Sequence, residues 1–510
     1  MKMRYLSLLL CAFVSCSLYA QEKDKSASWA ADKTWVMKNP LSLHIKRLEA
    51  NNPSMRYYMP NSTATVVQLK GDAYKEHQPI YSQQGDRYRN FSLQAESLIE
   101  LNSRSIVWGE ASYKNQLVKG MRFNNTSDLN LVYPYILADT LGGELKSEIY
   151  QFSGGYLHHF NSPYTVGVEL SYRALMSHRD KDPRPKNTVS DLNFRIGVNR
   201  TISSNYHVGL GLLLQKYKQD NNIKLFSNIE KIPIYHLTGL GMRNMRFDAV
   251  FTNAQFDGKG YGATLSLNSN QGKGWLGEMS YRVFQYDKLM TDLNDIPLNK
   301  LVEQNVHILA GYQHKNWAAS FESNLSERQG TEIIYGAPSS GYYPELDRNK
   351  SYKHQKQEYH LNIIWKWTPQ YIEWFIAPTL SYLSSKETYN DPNRHYKHSA
   401  ISTDITSTLR WKSQKTGILA LTNQLGYRAK FSSSTLMTDQ KEDDVLLALT
   451  QEQSLLLKKN EIASRASLRW DLPFRLFNQT EIFVCADWSG HFIQSYKPAH
   501  YTAFTLGFIF

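Results

Sequence analysis

With 510 residues the chain is long enough for several domains. Its 41% hydrophobic content and mean hydropathy of −0.50 leave no uncharged apolar run of transmembrane-helix length. The 58 Lys and Arg against 46 Asp and Glu give a formal net charge of +12. Acids are interleaved with these bases, which argues for a mixed-sign lining and against a nucleic-acid surface. No Pro/Ser-rich linker, composition shift or solenoid-period repeat divides the chain, so one continuous β-architecture is expected.

At the N-terminus, Lys2 and Arg4 precede the short apolar run Leu6 to Val14, and Ala20-Gln21 offers a cleavage point. Residues 1–20 therefore read as a secretory signal peptide. Its removal takes Lys2 and Arg4 away and lowers the net charge from +12 to +10. Cys11 and Cys16 leave with it, so Cys485 is the one expected mature thiol, and an internal disulfide is excluded. Residues 21–61 are polar, show no strand pattern and carry Trp29 and Trp35. They are expected to lie in the periplasm or to plug the lumen of a barrel. Within them, Asn39-Pro40 reads as a helix start, with Asn39 as cap and Pro40 at the first helical position.

Residues 62–510 show a period of two. In Val166 to Ala174, apolar Val166, Val168, Leu170, Tyr172 and Ala174 alternate with Gly167, Glu169, Ser171 and Arg173. Trp275 to Val283 sets Met279, Tyr281 and Val283 against Glu278, Ser280 and Arg282. Ile372 to Tyr382 and Ile462 to Trp470 repeat the pattern. A soluble sandwich would alternate too, but many runs reach roughly the 9–11 residues that a tilted strand needs to cross a bilayer. Connections alternate as well. Short turns lie near Asn161–Pro163, Ser203–Asn205, Asn270–Lys273, His314–Asn316, Thr368–Gln370 and Ser413–Thr416. Longer polar stretches run through 115–146, 179–185, 220–257, 329–351, 389–397 and 432–459. This is the short-turn, long-loop rhythm of outer-membrane barrels. The expectation is an all-β, transmembrane, antiparallel up-and-down barrel of 18 strands (range 14–18). Thr63 to Lys70 is the shortest candidate strand, and 220–257 is a place where a further hairpin could hide.

With the apolar faces outward, the opposite faces carry Glu169, Arg173, Glu278, Arg282, Lys366, Glu373, Arg410, Arg465, Arg469 and Asp487. These are the expected lumen lining, either along a wet path or as struts. Arg465 and Arg469 are expected to pair with Glu481 and Asp487. No nucleophile, metal-ligand or phosphate-loop motif is present, so no catalytic, cofactor or metal residue is expected and the chain does not read as an enzyme. His158-His159 should point to opposite faces. His395 and His398 beside Asp391 and Arg394, and Glu442-Asp443-Asp444, read as solvated external loops. Gly109, Gly154 and Gly155 are candidates for close packing or for ordinary turns.

The chain ends on Tyr501 to Phe510, with Phe504, Leu506, Phe508 and Phe510 on one face. This ending resembles the C-terminal signal of bacterial outer-membrane barrels, which implies that Phe508 and Phe510 are read by the barrel-insertion machinery. Ser105 to Tyr113, Tyr133-Pro-Tyr135, Asp139 with Gly142-Gly143, and Glu148 to Tyr156 resemble an uncharacterised outer-membrane β-barrel family, a domain of unknown function, of Gram-negative gut anaerobes. That resemblance implies fold and compartment and no chemistry. Asn39-Pro40-Leu41 is similar to the Asn-Pro-Ala segment of long-chain fatty-acid channel barrels, where an N-terminal hatch sits in the lumen. TonB-dependent receptors carry a plug well over twice the length of 21–61, which disfavours that class. The expected function is a channel or accessory component for uptake of a small solute or nutrient, set in outer-membrane lipid. The alternative is a non-conducting barrel that docks a surface lipoprotein or an export or uptake complex.

Overall fold

The computed structural model describes residues 30–59, 61–76, 81–226, 232–248, 251–269, 273–339, 341–369, 371–413, 416–439, 446–456, 458–476 and 480–510. The signal-peptide region, Trp29 and the acidic Glu442-Asp443-Asp444 lie outside the described residues, as do parts of the turns at 270–273, 368–370 and 413–416.

Alternation in sequence becomes eighteen antiparallel strands closed into one barrel. They are β1 Ala64–Lys75, β2 Arg87–Asn102, β3 Ser105–Met121, β4 Gly143–His159, β5 Tyr164–His178 and β6 Arg184–Ser203. There follow β7 Tyr206–Lys224, β8 Ala254–Ser269, β9 Gly274–Met290, β10 Ile296–Gln313, β11 Trp317–Tyr335 and β12 Glu345–Trp367. The last six are β13 Ile372–Tyr389, β14 Arg394–Ser413, β15 Gly417–Met437, β16 Glu461–Leu476, β17 Thr480–Ile493 and β18 Ala499–Ile509. Each strand pairs with its sequence neighbours, and β1 also pairs with β18, from Val66 opposite Ile509 to Lys75 opposite His500. Closure leaves no edge strand, which in lipid satisfies every ladder group internally.

The count of 18 stands, and the shortest expected strand is a full one of 12 residues. The described residues of 220–257 add no barrel hairpin. They hold the short strands Tyr235–Gly239 and Met242–Arg243, which join Leu137–Ala138 in a separate three-stranded sheet. Several expected loops are shorter than the polar stretches that marked them, because β3, β7 and β15 continue to Met121, Lys224 and Met437, and β12 already begins at Glu345. Backbone pairing continues after the outward face has turned polar, so composition marks the end of the apolar belt rather than the end of the strand. For the same reason His395 and His398 belong to β14 and not to an external loop.

Side chains on the outward face are apolar and accessible. Leu170 and Tyr172 on β5, Leu192 and Phe194 on β6, and Leu210, Leu212 and Leu214 on β7 are 39–53% exposed. Exposed Trp275, Trp317, Trp365, Trp367, Trp411 and Trp470 gather near the short-turn ends of β9 to β16, where an interfacial aromatic girdle belongs. Phe504 is 58% exposed on the outward face of β18, while Ala503, Thr505 and Ile509 turn inward and are buried.

Arg in place of Leu170 is expected to cost roughly 2–4 kcal/mol of folding stability near a bilayer midplane. Arg at Ser171, one residue on and facing inward, should cost much less. Reversible unfolding in lipid vesicles measures both, and equal losses would mean that the faces are assigned the wrong way round.

Candidate functional site

The inward face encloses two sets of non-barrel residues, one at each end. At the short-turn end, residues 30–58 fold back into the lumen as a hatch made of α1 (Ala30–Lys38), α2 (Pro40–Lys46) and the 3-10 turns Arg47–Glu49 and Pro53–Tyr58. Asn39 caps α2, its Oδ1 accepting the Ser42 N–H at 3.0 Å, with Pro40 at the first helical position. The dipeptide is thus accounted for by helix initiation.

Wall residues complete the hatch. The N–H groups of Ala30 and Ala31 both donate to the Glu481 carboxylate at 2.8 Å, satisfying donors that a helix start leaves open. Asp32 meets Arg410 at 2.5 Å and also Lys412. Burial pushes the Asp32 carboxyl up, but these two cations outweigh it and hold the group below its ordinary range. Trp35 donates to Glu373 at 2.7 Å and lies 5.0 Å from the Arg410 guanidinium. Lys38 pairs with Glu96 and Arg47 with Glu322, both at 2.6 Å. Small apolar clusters fill the gaps. One joins Ala31 to Val66, Ile418, Phe483 and Ile509. Another joins Leu41 to Ala318, Ile364 and Phe375.

The end of the hatch rests on bare backbone. Gly167, Gly197 and Gly211 are cross-strand neighbours on β5, β6 and β7. A Cβ at Gly167 would lie 2.7 Å from Ser54 N, at Gly197 1.9 Å from Asn52 Oδ1, at Gly209 2.4 Å from Asn52 Nδ2, and at Gly211 2.5 Å from Asn51 O. Asn52 is fully buried there, and its Oδ1 accepts the Ser54 N–H at 3.1 Å. Tyr57 and Tyr58 stack on His159 and His207, at 4.5 and 3.6 Å between ring centroids.

At the long-loop end, residues 122–142 and 232–248 turn into the lumen and pair through Leu137–Ala138 and Tyr235–His236, joined by Leu446 and Leu449 from between β15 and β16. Their apolar side chains share one cluster with wall residues that includes Tyr135, Tyr217, Tyr286, Tyr352, Phe256 and Phe284. Arg179 and Asp139 form a buried pair at 2.8 Å, and Arg179 also donates to the Asn124 carbonyl at 2.7 Å. Arg173 grips Asp128 with two hydrogen bonds, at 3.0 and 2.6 Å. Against the long-loop plug lie two cavities of about 710 Å³ each, which share Tyr81, Gln83, Gln84 and Leu129 as lining. One is bounded by β10 to β14 and the other by β1 to β5.

Most of the residues expected to line the lumen are engaged with other side chains. Glu169 accepts from Trp108 and Arg195, both at 3.0 Å. Glu278 accepts from Asn51 at 2.7 Å. Arg282 donates to Gln215, and Lys366 pairs with Glu373 at 2.9 Å. Arg410 bridges Asp32 and Glu373. Among the described residues the expected pairing of Arg465 and Arg469 with Glu481 and Asp487 is not found. Glu481 is taken by the start of α1, and Arg469 turns to Asp471 on its own strand at 2.6 Å. Asp487 lies beside Cys485, and Arg465 is exposed with no ion pair among the described residues.

Sequence reasoning missed the glycine seat. Its signal was present as glycines in step with inward residues, Gly167 two positions before Glu169 and Gly209 and Gly211 on one strand face. Of the glycines it chose, Gly155 does face a neighbour, since its Cβ would strike the Trp108 ring. His158 and His159 do diverge, to Ser105 and Thr165. Among the described residues no group of His, Cys, Asp or Glu is arranged to hold a metal ion.

The chain belongs to a family of unknown function, DUF6850, whose model matches residues 53–510. No curated protein matches the sequence. Among solved structures, the chain is similar to BauA, the ferric preacinetobactin receptor from Acinetobacter baumannii, at 9% identity over 88% of this chain and 80% of that one, with a TM-score of 0.41. It is similar to the outer membrane transporter YddB from Escherichia coli at 9% identity, covering 88% and 81% with a TM-score of 0.43. A bacterial polysaccharide outer membrane secretin aligns at 8% identity over 88% and 98%, with a TM-score of 0.31. These likenesses concern the fold alone.

Two outcomes follow from the hatch geometry. Gly197→Val should unseat it by about 1–3 kcal/mol through overpacking against Asn52, whereas Gly71→Val, with nothing within 4 Å of the new Cβ, should not. Faster trypsin cleavage at Lys46 and Arg47 in the folded, detergent-solubilised barrel reads the difference. His44, buried in α2, is held neutral, its pKa lowered by burial to about 4. Because the undocked ring binds its proton more readily, the contribution of His44 to docking is complete above about 6.5 and is lost as pH falls through about 4. Trp35 fluorescence should report hatch release across that window, and His44→Gln should flatten the curve.

Proposed function

We propose that this family member resides in the outer membrane, with its short turns in the periplasm, and admits a small polar solute past the long-loop plug through a lumen closed at its short-turn end, at rest, by the hatch. In this reading residues 1–20 are a signal peptide, 21–61 carry the hatch, 62–510 form the barrel, and Phe508 and Phe510 serve the insertion machinery. The apolar outward belt and the alternation of short turns with long loops support the placement.

The observation that carries the gate is a difference between the two plugs. The long-loop plug shares one continuous cluster of buried rings with the wall. The hatch meets the wall through small separate clusters, the half-exposed pairs Lys38–Glu96 and Arg47–Glu322, and the more buried contacts of Asp32 with Arg410 and of Ala30 and Ala31 with Glu481. The half-exposed pairs contribute about 0–1 kcal/mol each, and water can replace them. A fully buried Leu, Phe or Met side chain contributes about 1.5–3 kcal/mol. The hatch also buries Ile45, Leu48 and Met55, but its apolar contacts are divided among small clusters, and in this reading it is the part that leaves. Along the cavities, charges are matched in place: Arg328 with Glu303 at 2.5 Å and Lys356 with Glu358 at 2.7 Å. Asn305, Asn324, Ser326 and Ser385 line the same space. That lining suits a neutral or zwitterionic solute better than one of a single charge.

A second reading rests on the same cluster of rings. A long-loop end with its own core is a firm platform, which suits a non-conducting barrel that docks a surface lipoprotein or a transport complex. Removal of residues 22–58 with the signal peptide retained separates the two. Solute transport requires higher conductance in planar bilayers or faster uptake in liposomes. Unchanged conductance, with a lipoprotein or transport complex recovered by affinity purification, would favour docking and retire the channel.

A further inference from the structure

On the outward face of β5 to β7, where the apolar belt gives way to polar residues, lies a pocket of about 430 Å³ bounded by Met176, Pro185 and Phe226 and rimmed by His178, Lys186 and Lys224. We propose that this pocket binds the phosphorylated headgroup of an outer-leaflet lipid. The proposal rests on the outer-membrane placement above and is independent of what passes through the lumen.

Orientation comes first. His178 is in step with Leu170, Tyr172 and Met176 on β5, Lys186 with Leu192 and Phe194 on β6, and Lys224 with Leu210, Leu212 and Leu214 on β7. The rim therefore stands on the lipid-facing side, toward the long-loop end, and the exposed apolar side chains continue down the wall beneath it. His178 lies opposite Lys186, which lies opposite Asn222, while Lys224 lies opposite Arg184. Lys186 and Lys224 are thus diagonal neighbours, at roughly 7–8 Å, close enough for both ammonium groups to reach one phosphate.

Charge comes next. Arg184 is already committed, to Asp182 at 2.8 Å and to the Phe226 ring at 4.2 Å. Asp182 in turn accepts the Phe226 N–H at 2.6 Å, which fixes the apolar floor. Asp180 is held by Lys146 at 2.5 Å and lies 3.6 Å from His178. Lys186 and Lys224 have no ion pair among the described residues. The acids beside the pocket are matched and these two cations are not, so the rim carries uncompensated positive charge directly above an apolar surface. An amphiphile with a phosphate head and acyl chains meets both features at once; a soluble phosphate compound meets only the first.

The test uses the full-length protein in detergent, titrated with bis-phosphorylated lipid A and with the same lipid dephosphorylated, and read by native mass spectrometry. Wild type should retain the phosphorylated lipid preferentially. The K186Q/K224Q variant should lose roughly tenfold in affinity, while K259Q, outside the pocket on β8, should bind as wild type. Heat-modifiable mobility confirms that each variant is folded. Equal binding of the two lipids, an unaffected double variant, or an equal loss in K259Q would overturn the proposal. Displacement of bound lipid by millimolar inorganic phosphate would overturn the lipid assignment in favour of a free-phosphate site.

Discussion

An eighteen-strand barrel encloses more space than its own inward side chains can fill, and the rest of this structure follows from how that space is occupied. Smaller barrels fill themselves. Here the interior takes in chain from both ends, the hatch from before β1 and, among the described residues, loops from between β3 and β4, between β7 and β8 and between β15 and β16. The two solutions differ in kind. The loops bring their own apolar residues and build a core against the wall. The hatch brings capped helices, charges and a run of backbone that needs a flat surface beneath it.

That flat surface is the reason for the glycines. A wall of ordinary side chains would hold Asn51 to Ser54 away from the strands, and the seat removes the side chains where the hatch comes closest. A single Cβ at Gly197 would stand 1.9 Å from Asn52 Oδ1, well inside any real contact distance. Asn52 adds a second constraint, since its amide is buried and must find partners within the seat. It does so with Ser54 and with Ser266 of β8 at 3.3 Å.

Strand number, strand order and the direction of each face were legible in the sequence, because alternation over a long strand is a local signal that burial on one side enforces. Glu169, Glu278 and Glu373 were placed on the inward face by that alternation alone. Which group each meets was not legible. Glu481 looked like the partner of Arg465 and Arg469 because those strands are adjacent, yet it receives the backbone of α1 from the far end of the sequence. Nothing in a strand's own pattern announces a helix that arrives from outside the sheet. The inner sheet of Leu137–Ala138 with Tyr235–Gly239 was hidden for a related reason: such short strands carry too few residues for a period to appear. The apparent loop lengths misled in the opposite direction, since polar composition was read as the end of a strand when it marked only the end of the apolar outward belt.

Ala31 packs against Val66 on β1 and Ile509 on β18, beside the seam where the two ends of the sheet meet, and Glu481 on the neighbouring β17 holds the first turn of α1. Half of this docking place does not exist until the final strand has been zipped to the first. An assembly intermediate with an open seam has nowhere to put the start of the hatch, so hatch docking comes last in the order of construction. A seated first turn of α1 is then a certificate of completed closure, and a barrel whose seam opens sideways would release the start of its hatch while the glycine seat on β5 to β7 still holds the other end.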